Sequence, residues 1–329
     1  MKPRIVHLLD DQNVGGVRRW IQNISDSRLN SQFEFGLVRS TELLPFLRSH
    51  KVDLVICHNP SSWKRSLNLI RIRHRVKLMI VEHHYCEGFE RLNVPSVERF
   101  RAMLKWNYGI VDRVVSVSQG QSNWLQPLTR STKLVTIPLS TQVDSFLEVP
   151  KKQIQKPFIL GAYGRFSQQK GFDTLLKAMQ RVPSPDVQLY LGGYGEDESL
   201  LKTLAGNLPN VKFWETVQDV QGFLSACDAI VIPSRWEPGG TVCIEAKAAG
   251  RPVIVSDVDG LTEQVQNCGM IVAPDDPIQL ASAIDTLIKM TPKQVEAWGE
   301  TARNSVRDTW EQYIIEWEAF LWKLLGETR

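Results

Sequence analysis

Residues 229–256 read A-I-V-I-P-S-R-W-E-P-G-G-T-V-C-I-E-A-K-A-A-G-R-P-V-I-V-S. The apolar run Ala229 to Ile232 reads as a buried strand. Pro238, Gly239 and Gly240 then mark a turn, Thr241 is suited to begin a helix, and a second strand follows from Pro252 to Ser256. Strand, helix and strand in this order imply a parallel α/β sheet.

The same alternation extends in both directions. Strands are expected at Phe158–Tyr163, Val187–Leu191, Val211–Trp214 and Gly269–Val272, with helices near Gly171–Arg181, Glu198–Ala205 and Val220–Ala226. The first half repeats the theme, with strands at Arg4–Leu9, Val52–Cys57, Leu78–Val81, Arg113–Val117 and Leu134–Ile137 and helices such as Val17–Ile24 and Pro95–Tyr108. Between the halves lies a polar stretch, Glu148–Pro157, that reads as a linker. The expected organisation is an α/β fold with two Rossmann-like, doubly wound domains at 1–150 and 151–309. Gln279–Leu325 reads as helices, with Trp310, Tyr313, Trp317 and Phe320 or Leu321 on one face. Residues 310–329 are expected to form a helix packing back toward the N-terminal domain.

A chain of 329 residues with 43% hydrophobic content suits two cores. Its net charge of +3 is far from the excess expected of a nucleic-acid binder. The charge is segregated: residues 1–150 hold 21 Lys and Arg against 13 Asp and Glu, net +8, and the remainder 18 against 23, net −5. A basic first half favours an anionic partner, a phosphate-bearing acceptor or a membrane surface, although solvated charge also explains such a bias. Trp63 and the stretch K-R-S-L-N-L-I-R-I-R-H-R-V-K (64–77) suit such a surface, or a solvated helix face. Five widely spaced cysteines without a CxxC motif suit buried thiols in a reducing compartment. The N-terminus lacks the pattern of a secretory signal, and no segment has 18 uninterrupted apolar residues. The expectation is a cytoplasmic protein, at most peripheral at the inner face of a membrane.

Ligands of open α/β sheets sit beyond the carboxyl ends of strands. The first strand exits into D-D-Q-N-V-G-G-V-R-R-W (10–20), where Gly15 and Gly16 let a phosphate approach the start of a helix. The strand at Phe158 exits into G-R-F-S-Q-Q-K-G (164–171), placing Arg165 and Lys170 around a short loop; two cations there suit a diphosphate. Glu237 and Glu245 then flank the Gly239–Gly240 turn. A loop carboxylate and a helix carboxylate face one ligand, and each accepts paired hydrogen bonds from vicinal hydroxyls, one from a sugar ring and one from a ribose.

At these residues the sequence resembles the retaining glycosyltransferases of family 4, a GT-B fold in which two domains face a central cleft. Two glutamates separated by seven residues and followed by A-x-A-x-G-x-P-V are its signature. Further pieces are the Gly15–Gly16 loop, H-N-P at His58, V-S-V-S at Ser116, I-P-L-S-T-Q-V-D at Ile137, L-G-G-Y-G-E at Leu191 and S-D-V-D-G-L-T-E at Ser256. The resemblance covers nearly the whole chain. It implies an enzyme of the hexosyltransferase type that moves a sugar from a UDP- or GDP-sugar to a saccharide or glycolipid acceptor, with no metal or other cofactor required. It places Glu237 on the donor sugar, Glu245 on the ribose, and Arg165 and Lys170 on the diphosphate. Gly239, Gly240 and Thr241 would serve the distal phosphate opposite Gly16, with Gly15, Gly164 and Gly193 also at the donor. It implies a histidine near the anomeric carbon, at His83 or its neighbour His84, with His83 preferred and His58 as a rival lining residue.

The chain departs from the family at Glu237-Pro238-Gly239-Gly240, where Glu-Gly-Phe-Gly is usual; this variant is closer to glycogen and starch synthases. The Asn-Gly pair usual after the interdomain Ile-Pro is replaced around Ser140 and Thr141. Asp257 and Asp259 form a D-x-D, which in another glycosyltransferase fold holds a metal, but here they stand in a loop the family pattern already contains. Alternatives are a nucleotide-sugar 2-epimerase of the same fold and a non-catalytic partner subunit.

Overall fold

A computed structural model describes residues 2–11, 15–182, 185–206, 208–214 and 217–327. Gln12, Asn13 and Val14 of the expected loop after the first strand lie outside the described residues, as do Thr328 and Arg329 of the expected C-terminal helix. The chain divides into two compact units, one of Met1–Leu139 with Glu311–Arg329 and one of Ser140–Trp310. The division falls upstream of the polar stretch Glu148–Pro157.

The first unit runs β1 (Arg4–Leu8), α1 (Gly16–Asp26), β2 (Glu34–Val38), α2 (Leu43–Ser49), β3 (Leu54–Cys57), α3 (Trp63–Ile72), β4 (Lys77–Glu82), α4 (Glu87–Asn93), α5 (Val97–Ile110), β5 (Arg113–Ser116), α6 (Gln119–Leu125) and β6 (Leu134–Thr136). Its strands form a parallel sheet in the order β2-β1-β3-β4-β5-β6. Leu54–Cys57 is buried throughout, as a strand covered on both faces must be. Sequence reasoning missed β2. It is an edge strand with an exposed start and an internal glycine, so it lacks the unbroken apolar run that marks its neighbours.

The second unit runs α7 (Asp144–Leu147), β7 (Phe158–Arg165), α8 (Phe172–Met179), β8 (Val187–Tyr194), α9 (Glu198–Ala205), β9 (Val211–Trp214), α10 (Val220–Ala226), β10 (Ala229–Ile232), α11 (Thr241–Ala248), β11 (Val253–Ser256), β12 (Gly269–Val272), α12 (Pro277–Ile288) and α13 (Pro292–Val306). Its sheet is parallel in the order β12-β11-β10-β7-β8-β9. Strands β10 and β11 are buried throughout.

Both sheets reverse direction once, between β1 and β3 in the first and between β7 and β10 in the second. At such a switch point successive connections leave to opposite sides and open a crevice beyond the carboxyl ends. The residues singled out at strand exits stand at or beside these two reversals.

The last helix, α14 (Thr309–Gly326), belongs to the first unit from Glu311 onward. Tyr313, Ile314, Trp317, Leu321 and Leu324 are its buried residues, so Leu321 and not Phe320 continues the apolar stripe. Trp20 Nε1 donates to the Tyr313 hydroxyl at 2.5 Å, and Trp322 Nε1 donates to Gln32 Oε1 at 2.7 Å. Lys77 Nζ donates to the carbonyls of Leu325 at 3.3 Å and Glu327 at 2.5 Å, where a cation complements the helix dipole. Arg113 pairs with the Glu327 carboxylate at 2.5 Å. All five cysteines are free and buried.

Candidate active site

In the second unit the β7 and β10 exits meet at the switch point. Arg235 ties them together: Nη1 donates to the Gln168 carbonyl at 2.7 Å, Nη2 to Asp173 at 2.9 Å and Nε to Asp275 at 2.6 Å. Its backbone N–H donates to the Gln169 carbonyl at 2.7 Å. Sequence reasoning missed Arg235 because its acids lie far away along the chain and form no spaced motif.

On this frame Lys170 forms an ion pair with Glu237. Ser234 Oγ donates to the same carboxylate at 3.3 Å, and the Glu237 N–H donates to Asp259 Oδ2 at 3.0 Å. Asp257 Oδ1 accepts from the Thr262 hydroxyl at 2.8 Å. The D-x-D carboxylates thus hold the loop around Glu237. Among the described residues no group of three or more His, Cys, Asp or Glu could hold a metal ion.

Arg165, at the end of β7, is exposed, and its side chain makes no hydrogen bond or ion pair with the described residues. It is a cation open to an anionic ligand at the edge of the crevice. Gly164 and Gly193 stand opposite one another in the β7–β8 register, and a Cβ on Gly193 would lie 1.9 Å from the Gly164 carbonyl oxygen. Close strand approach alone accounts for Gly193.

Gly240 caps α11 with φ 75, a left-handed conformation that glycine takes without penalty. Its Cβ would meet Leu261 at 2.5 Å. The cap offers no side-chain acceptor, so the helix start at Thr241 is not closed off by its own N-cap. Gln264 Nε2 donates to the Gly239 carbonyl and fixes the turn. Glu245, on α11, is 2% exposed, and the Tyr163 hydroxyl donates to its Oε2 at 2.6 Å. Tyr163 was also missed, although it directly precedes the Gly164–Arg165 motif. Loop carboxylate, helix carboxylate, lysine and arginine all stand in the second unit, with Lys170 paired to Glu237 and Glu245 held by Tyr163.

In the first unit Gly15 and Gly16 stand at the start of α1, and a Cβ on either would meet nothing within 4 Å. Across β1, β3 and β4 lies a chain of imidazoles. His7 Nδ1 is 2.9 Å from His58 Nε2, and His58 Nδ1 is 3.0 Å from His83 Nε2. Trp20 flanks the chain, its ring 5.2 Å from His58 and 5.6 Å from His83. Burial lowers His7 and His83 from 6.5 to about 3 and His58 well below 6.5, with the neighbouring imidazoles adding to the effect on His58 and His83. All three rings are neutral at neutral pH.

This corrects the reading of His58 as a lining residue. It is fully buried, and both its ring nitrogens are engaged within the fold. His7 was missed, since a histidine inside an apolar strand carries no motif. His83 is partly exposed, while His84 Nε2 donates to the His58 carbonyl at 2.8 Å. Glu82, 2% exposed, holds the loop after β4: Oε1 accepts from the His84 and Tyr85 N–H groups at 3.0 and 3.1 Å, and Oε2 from the Tyr108 hydroxyl at 2.8 Å.

Two family models match the chain, Glycosyl transferases group 1 over residues 145–305 and Glycosyltransferase Family 4 over residues 10–143. Among curated proteins, the lipopolysaccharide core biosynthesis glycosyltransferase LpsD of Rhizobium meliloti is 36% identical over 42% of this chain and 42% of that protein. The phosphatidyl-myo-inositol mannosyltransferase of Mycobacterium leprae is 29% identical over 62% of this chain and 58% of that protein. The chain thus spans roughly two fifths to three fifths of the length of these relatives.

Among solved structures, a sucrose-phosphate synthase from Thermosynechococcus elongatus superposes with TM-score 0.84 and 19% identity, over 99% of this chain and 100% of that one. Anabaena HepE in complex with UDP and glucose gives TM-score 0.75 and 18% identity over 96% and 98% of the two chains. At these identities the likeness is one of fold.

Proposed function

The chain belongs to the group 1, family 4 glycosyltransferases of GT-B fold, and on that premise we propose that it is a retaining enzyme using a UDP- or GDP-sugar donor. The acceptor we propose is a saccharide or lipid-linked saccharide of cell-surface polysaccharide or glycolipid synthesis. Relatives named for lipopolysaccharide core synthesis and for mannosyl transfer to phosphatidyl-myo-inositol support that class. The observation that carries the donor reading is the Lys170–Glu237 pair beside the open Arg165, at the switch point of the second sheet.

In this reading Arg165 and Lys170 meet the diphosphate, and Lys170 exchanges its carboxylate partner for phosphate as the donor arrives. Glu237 is then released toward the sugar hydroxyls, and Glu245, held by Tyr163, takes the ribose. As the bond from the anomeric carbon to phosphate breaks, cations that already face the leaving oxygens stabilise its charge without reorganising. The acceptor oxygen attacks the same face and its proton passes to the departing phosphate. Burial pushes Cys57, Cys227 and Cys243 up to about 12, so these thiols are not nucleophiles at neutral pH.

Incubation with each nucleotide sugar and an acceptor extract, followed by NMR of the product's anomeric centre, tests the reading. Release of one nucleoside diphosphate with retained configuration supports it. Inversion, or epimerisation of the donor at C2, refutes it, and binding of no nucleotide points to a partner subunit.

We further assign the face of α3 and α5 to an anionic membrane surface. The two helices pack together and expose Trp63, Leu67 and Trp106 at 46%, 57% and 51%, with Lys64, Arg71, Arg99 and Lys105 also exposed. Arg65 is not part of this surface, since it donates to the Pro60 carbonyl at 2.9 Å and to Asp10 at 3.4 Å. Among the described residues no helix is long and apolar enough to cross a membrane.

A further inference from the structure

His7 Nε2 is buried and has no hydrogen-bond partner among the described residues. A neutral imidazole carries one N–H. On Nε2 that proton would be a buried donor with nothing to receive it, whereas on Nδ1 it points at His58 Nε2, 2.9 Å away. Orphaned buried N–H groups are the rarer and costlier case. His7 therefore donates from Nδ1.

The remaining protons follow in sequence. His58 Nε2 is occupied as an acceptor, so neutral His58 carries its proton on Nδ1 and donates to His83 Nε2 at 3.0 Å. His83 Nε2 is then an acceptor, and its own proton sits on Nδ1, which has no partner among the described residues. We infer that His7, acting through His58, fixes His83 as the Nδ1–H form, so that the ring beyond β4 offers a ligand oxygen a hydrogen-bond donor and is not a base. The tautomer of one ring is set by the bond its other nitrogen makes, here relayed over two neighbours.

His7 and His58 are positioning residues in this scheme. Trp20 closes the side of the chain, and the Glu82 carboxylate fixes the loop that carries His83 and His84. The donor role of His83 rests on the proposed placement of a sugar donor beside it. The tautomer does not.

The experiment is a long-range nitrogen–proton correlation spectrum of the full chain labelled at histidine, without ligand and at neutral pH, on the parent and on His7→Asn and His7→Leu. The two replacements are nearly isosteric, and asparagine keeps an N–H donor at the Nδ1 position. The expected spectrum shows His7, His58 and His83 protonated on Nδ1 and His84 on Nε2. His7→Asn keeps the Nδ1–H form in His83, while His7→Leu gives a mixture and loses about tenfold more kcat with little change in donor KM.

A parent His83 protonated on Nε2, or charged at neutral pH, overturns the inference. So do identical ring spectra in the two His7 variants. The parent spectrum decides the tautomer even if a variant fails to fold. If no nucleotide sugar is turned over while the three rings carry Nδ1 protons, the proposed reaction fails and the tautomer assignment stands.

Discussion

Lys170 and Glu237 face each other across the exits of β7 and β10 as an ion pair whose side chains are only 18% and 12% exposed. A pair this far out of water behaves as a unit, because losing either member strands the other's charge. Lys170→Met and Glu237→Gln should each lower stability by about 1–3 kcal/mol. The double variant should lose less than their sum, by a coupling of about 0.5–3 kcal/mol, measured by denaturant unfolding of all four proteins.

The glycines separate into two kinds. Gly193→Ala forces a Cβ to within 1.9 Å of a carbonyl oxygen at φ +148 and should abolish soluble expression or lower the melting temperature sharply. Gly15→Ala places its Cβ in open space, and φ there is −145, which any residue adopts. That variant should fold like the parent, and a weakened donor KM would then report crowding of a bound phosphate rather than a damaged fold.

The histidine chain makes stability pH-dependent. His7, His58 and His83 are depressed below 6.5 in the folded state, so the unfolded chain takes up protons that the folded chain refuses. Stability from these groups is complete above pH 6.5 and is lost as pH falls below it. Three such groups give a slope of at most about 4 kcal/mol per pH unit. Denaturant unfolding between neutral and mildly acidic pH should show a slope of this sign, and His7→Asn should remove about a third of it.

Liposomes test the α3–α5 face. The chain should bind vesicles with anionic lipid and not neutral ones, more weakly in high salt, with each surface cation contributing about 1 kcal/mol. Replacing Lys64, Arg71 and Lys105 with glutamate, leaving Arg65 and Lys77 in place, should abolish binding and spare the fold. Equal binding by this variant and the parent refutes the assignment.

Much of the architecture is legible in the sequence because strands buried on both faces announce themselves as apolar runs. Each strand of the second sheet, from Phe158 to Val272, stands where the sequence pattern expects one, and α11 starts at Thr241 as the turn before it implies. What escaped had no local signal. β2 is half exposed, Arg235 finds its acids through folding alone, and His7 is an ordinary strand position until two distant histidines arrive beside it. His58 misled for the same reason, since a histidine at a strand exit reads alike whether it faces the crevice or the core. The Lys170–Glu237 pairing was likewise invisible, although both residues had been singled out for different parts of one ligand.

The most direct test of a nucleoside-diphosphate site at the second switch point is thermal unfolding with UDP, GDP, ADP and NAD in separate samples. A ligand at about a hundredfold its dissociation constant adds about 2.7 kcal/mol to the folded state. Arg165→Ala is the decisive variant, because the Arg165 side chain is exposed and its removal should leave the fold intact. The account predicts stabilisation by UDP or GDP that Arg165→Ala loses in large part and Glu245→Ala loses as well. Stabilisation by NAD alone, or nucleotide binding indifferent to Arg165, would contradict it.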